Sequence, residues 1–82
     1  MRLDDKRAKF DKLTRSQQQK YKRWSMHVPR VGLHEANNGL GDSNPEHIGT
    51  TWRLHLGGRN RICCTIEGDV VKVLAVGAPR GR

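Results

Sequence analysis

The sequence predicts an α+β fold: two amino-terminal helices packed on one face of a small antiparallel sheet. Three observations lead there. Leu3, Arg7 and Phe10, and then Leu13, Gln17, Tyr21, Trp24 and Val28, recur every three or four positions, the helical period. After residue 50 the period changes to two, the strand period. Two short Gly-containing turns, Gly57-Gly58-Arg59 and Gly68-Asp69, divide that second part into three segments. The whole is one domain, residues 1–82, with a helical hairpin over 3–28, a loop over 30–49 and a sheet over 50–77.

The first helix is expected over 3–12. Leu3, Arg7 and Phe10 fall on one side, and Asp4 and Asp5 sit where a helix amino terminus favours negative charge. Thr14 or Ser16 can cap a second helix. Its apolar stripe is Tyr21, Trp24 and Val28, with Lys20, Lys22 and Arg23 to either side, and Pro29 is expected to close it. The stripe suits core packing. Residues 30–49 are rich in Gly, Asn, Asp and Pro and read as a loop about twenty residues long, a length that is uncommon in compact domains and often functional.

In the sheet, the Gly68-Asp69 turn pairs Glu67 with Val70 and Ile66 with Val71. The Gly57-Gly58-Arg59 loop pairs Leu56 with Asn60 and His55 with Arg61. One face then holds Trp52, Leu54, Leu56, Ile62, Cys64, Ile66, Val71 and Val73, and packs on the helices. The other holds Arg53, His55, Arg61 and Lys72. From Trp52 to Cys64 there is no acidic residue. Cations on neighbouring strands repel unless an anion neutralises them, and a phosphate backbone is a ready candidate.

The bulk charge agrees with that surface. Lys and Arg number 16 against 8 acids, a net charge of +8. Such a balance attracts polyanions. No stretch approaches the roughly 20 apolar residues of a membrane span, and no apolar signal segment opens the chain, so a nucleic acid in the cytoplasm is expected rather than a membrane. Cys63 and Cys64 are adjacent and point to opposite faces of a strand, so they read as free thiols. His27, His34, His47 and His55 lack the paired spacing of zinc ligands, so no metal and no small-molecule cofactor is expected.

With these residues in view, the segment from Trp52 to Gly77 resembles the RelE/ParE superfamily of bacterial type II toxins. Its pattern runs aromatic, basic, apolar, basic, turn, Arg, apolar strand, turn, and a Val-rich strand ending in Val-Gly. Trp52, Arg53, Leu54, His55, Gly57, Arg61, Ile62, Val71, Val73, Leu74, Val76 and Gly77 match it. The segment from Phe10 to Trp24 resembles the helical hairpin more loosely. The resemblance implies a strand ahead of the first helix, and "MRL" is short for one.

It also implies a function. RelE-type members cleave messenger RNA in the ribosomal decoding site, the 2′-hydroxyl attacking the adjacent phosphate while basic side chains take the place of the usual acid–base pair. By position, Arg53, His55 and Arg61 fall where the basic catalytic residues sit, and Arg80 falls near a further arginine. Arg53, Arg59, Arg61, Lys72, Lys20 and Arg23 would contact RNA. The partners implied are a cognate antitoxin protein and the ribosome with its messenger. A non-enzymatic alternative stays open: a ParE-like gyrase inhibitor, or a basic ribosome- or RNA-binding module.

Overall fold

The structure is a computed structural model, and it describes residues 1–41 and 45–78. Its elements in chain order are β1 (Arg2–Asp4), β2 (Lys9–Phe10), α1 (Arg15–Gly39), β3 (Glu46–Ile48), β4 (Thr51–Gly57), β5 (Asn60–Glu67) and β6 (Val70–Gly77). The strands form one sheet in the order β1-β6-β5-β4-β3, with β2 also on β6. β1 and β2 run parallel to β6; the other pairings are antiparallel.

The expected pair of amino-terminal helices is therefore corrected. The described residues contain one helix, α1, and residues 3–12 contribute strands instead. The local sequence there suits a helix, but β6 exposes an edge with unpaired backbone groups, and tertiary pairing outweighs a weak local propensity. Leu3 then packs against the core, and Phe10 meets Tyr21 edge to face at 5.3 Å between ring centroids. The Tyr21 hydroxyl donates to Asp5 Oδ2 at 2.7 Å, so the β1–β2 connection is tied to the helix.

The boundaries of α1 also differ from expectation. Its start is at the first of the two expected caps: Thr14 Oγ1 accepts from the Gln17 amide at 3.1 Å, and Gln17 Oε1 accepts from the Thr14 amide at 3.0 Å. This reciprocal pair is a capping box. Pro29 does not end the helix. The kink falls at Gly32, with φ of 88° and ψ of 168°, and helical turns resume to Gly39. The positive φ at that point suits glycine. Burial carries the chain on: Leu33, Ala36 and Leu40 all enter the core. The Trp24 indole N–H donates to Asn37 Oδ1 at 2.9 Å in the interior, which clamps the two arms together. So the segment read as a loop over 30–49 supplies a helical arm and the edge strand β3.

The helix packs on one face of the sheet. The core holds Tyr21, Trp24 and Val28 from α1 against Leu54, Leu56, Ile62, Cys64, Val71, Val73 and Val76. Each fully buried aliphatic side chain contributes about 1.5–3 kcal/mol relative to exposure. The register of β5 with β6 begins as expected, Glu67 opposite Val70 and Ile66 opposite Val71. It then shifts: Cys64 faces Val73 but Cys63 faces Ala75. Leu74 is the extra residue of a bulge and is exposed, while Val76 turns into the core and Ala75 out of it.

In β4 and β5, His55 pairs with Arg61 as expected, but Gly57, not Leu56, faces Asn60. Ile66, expected inside, is 37% exposed, and Trp52 is only partly buried.

Candidate nucleic-acid interface on the outer sheet face

The face of the sheet away from α1 carries the basic residues. Cross-strand pairing sets them in rows. One row runs Glu46, Arg53, Cys63, Ala75 and Lys9; the next runs His55, Arg61 and Gly77. Both bulges lie next to these rows, where a strand bends and re-aims its side chains.

A shallow hollow of about 250 Å³ opens on this face. Lys9, Asp11, Arg53, Arg61 and Cys63 supply its functional side chains, with Ala75 and Gly77 in its wall. The small Ala75 is there because the bulge turned Val76 inward. Gly77 is there because a side chain would not fit: a Cβ would come within 2.5 Å of Asp11 Cβ, and its φ is +149°. The Asp11 amide donates to the Val76 carbonyl at 2.9 Å, which holds Asp11 over that strand end. The Arg61 Nη1 donates to the carbonyls of Gly58 and Asn60, both at 3.1 Å, so the hairpin turn orients this guanidinium.

The hairpin is itself anchored. Gln17 Nε2 donates to the Gly57 carbonyl at 3.0 Å, and Asn60 Nδ2 donates to Gln17 Oε1 at 2.6 Å. One side chain thus caps the helix and fixes the turn beneath Arg61.

The structure brings some of the sequence-predicted residues together and separates others. Arg53 and Arg61 line the hollow. His55 is exposed on the same face, directly across from Arg61, but does not line it. Arg59 is exposed in the β4–β5 turn. Lys72 lies in another row, between Thr65 and Asp4. Lys20 and Arg23 belong to α1 and border a small hollow against the 33–39 arm, in the helical layer on the other side of the sheet. Arg80 lies outside the described residues. Lys9, Asp11, Cys63 and Glu46 were missed. The only sequence signal for the first two was a Val-rich strand in want of an edge partner.

Among the described residues three cations and one carboxylate line the hollow, an arrangement suited to one phosphate group. Cys63 is half-buried there, whereas Cys64 is in the core, where loss of solvation pushes its thiol up to about 12. No group of three or more His, Cys, Asp or Glu side chains able to hold a metal occurs among the described residues. No described helix is long and apolar enough to cross a membrane. No family model matches the chain, and no curated protein matches it at a significant level.

Proposed function

We propose that this chain is a RelE-type toxin that acts on RNA, a ribosome-dependent messenger endonuclease of the bacterial cytoplasm held in check by a cognate antitoxin. The observation that carries the reading is the convergence of Arg53, Arg61 and Lys9 on one hollow, with His55 across from Arg61. The resemblance of the Trp52–Gly77 segment supports it, and so does β1, a strand ahead of the helix of the kind the resemblance implies.

The chemistry is an internal phosphoryl transfer. His55 takes the proton of a 2′-hydroxyl, and the oxygen attacks the adjacent phosphorus. The bond to the 5′-oxygen breaks, leaving a 2′,3′-cyclic phosphate and a 5′-hydroxyl. The proton on the imidazole returns to the leaving oxygen. Histidine suits this role because a neutral imidazole nitrogen can accept a proton and later give it up. Arg53, Arg61 and Lys9 balance the extra negative charge of the pentavalent phosphorus. Induced expression in a bacterial host tests the reading: it should arrest growth, and Arg53→Ala with Arg61→Ala should restore it. Normal growth with soluble, folded protein would overturn it.

One observation favours a second reading, a non-enzymatic basic binder such as a gyrase-directed or ribosome-binding module. His55 stands beside the hollow rather than in it. In that case the chain would bind its target through the arginines and leave RNA intact.

A further inference from the structure

A second hollow, of about 320 Å³, lies on the other side of the sheet, where the 33–39 arm of α1 meets β4 and β5. Leu33, Trp52 and Ile66 give it apolar walls, and His34, Asn37 and Asn38 give it a polar edge. We propose that it is a binding site for a single nucleobase. The inference rests on the reading of the chain as an RNA-binding protein.

The walls are fixed before any ligand arrives. The Trp52 ring stacks on His47, with centroids 3.9 Å apart and planes 5° apart, while its backbone is paired between His47 and Cys64. A rigid aromatic wall costs little ordering on binding. Stacking against it is worth about 1–3 kcal/mol per base and tolerates any base. The volume is at the low end for ligand sites, suited to one ring system.

The polar edge is fixed too. Asn37 is only 6% exposed, and its Oδ1 accepts from the Trp24 indole N–H. An indole N–H can only donate, so the amide orientation is set and Nδ2 is left as a donor. Among the described residues that nitrogen has no hydrogen-bond partner, and no buried side-chain polar atom is left unsatisfied. Asn37 lines the hollow. A donor at the end of an apolar slot matches the carbonyl or ring nitrogen on the edge of a base. No Lys or Arg is among the described lining residues, so they do not suit a phosphate alone.

The location fits a continuous strand of RNA. Trp52 and Arg53 are neighbours on β4 and point to opposite faces. Among the described residues only β3, three residues long, lies beyond them in the sheet. A strand of RNA running from Arg53 to Trp52 would pass round that one edge strand.

The test is an NMR titration of the full chain with adenosine, with cytidine and with inorganic phosphate. The nucleosides, which carry no phosphate, should shift the methyl signals of Leu33 and Ile66. Inorganic phosphate should shift only signals around Arg53 and Arg61. Ile66→Glu, a change at a partly exposed position, should weaken the nucleoside effect about tenfold or more. Leu33 and Ile66 signals that stay still up to the solubility limit of the nucleosides would overturn the site. So would a dimer in sedimentation with those methyls protected, since a second copy would then fill the hollow. Nucleoside binding without RNA cleavage would leave the site standing and count only against the nuclease.

Discussion

Gln17 Nε2 donates to the Gly57 carbonyl across 40 positions of sequence, and the same side chain closes the capping box at the start of α1. The helix start and the turn that orients Arg61 therefore move together. Gln17→Ala removes the half of the capping box that reaches back to Thr14 and leaves the Gly57 and Asn60 groups to water. A loss of about 1–3 kcal/mol is expected, measured by urea unfolding. Gln17→Glu should keep the cap and lose the Gly57 bond, and so fall between the two.

Gly77 is required by Asp11. Gly77→Ala places a methyl group against Asp11 at a φ that disfavours side chains, and should destabilise the fold by about 1–3 kcal/mol. Asp11→Gly in the same chain should recover the part due to the clash and not the part due to φ. Equal stability of Gly77→Ala and the parent, by thermal melting, would contradict the packing described.

Alkaline stability should be limited by two buried acids. Cys64 is pushed from about 9 up to about 12 by burial, and burial together with the Asp5 hydrogen bond raises the Tyr21 phenol. Both groups hold their proton more tightly when folded. Their contribution is complete below the unfolded values and is lost as pH rises, from about 9 to about 12 for Cys64. Stability should therefore fall across that range, and Cys64→Ala should flatten the fall. A thiol reagent at neutral pH should modify Cys63 in the native protein and Cys64 only after unfolding.

The basic face should bind through charge. Arg53→Ala with Arg61→Ala should leave the melting temperature nearly unchanged and weaken RNA binding. The slope of log affinity against log salt should drop by about one unit per arginine. Lys72→Ala, in a different row, should change affinity less than either arginine variant.

Much of the sheet was legible in the sequence. The alternation from Trp52 to Val73 and the Gly68-Asp69 turn placed Arg53, His55 and Arg61 on one face opposite Leu54 and Ile62, where the structure also has them. The bulge at Leu74, which turns Val76 inward and Ala75 outward, was not legible, because alternation alone cannot show an extra residue. The strands in residues 2–10 were hidden for a different reason. Their pairing depends on the edge of β6, 66 to 68 positions away, while their local composition favours a helix. Pro29 misled for a third: its cost is real, but burial of Leu33, Ala36 and Leu40 and the Trp24–Asn37 bond outweigh it. Of the candidate site, Arg53 and Arg61 were readable, and Lys9 and Asp11 were not.

The most direct measurement is the chemistry of RNA ends after incubation of the purified chain with a messenger, with and without ribosomes. Cleavage should require ribosomes and leave 5′-hydroxyl and 2′,3′-cyclic phosphate ends, with His55→Ala slower by about 10²–10⁴-fold. Intact messenger under conditions where the chain binds it would contradict the nuclease and leave a basic binder.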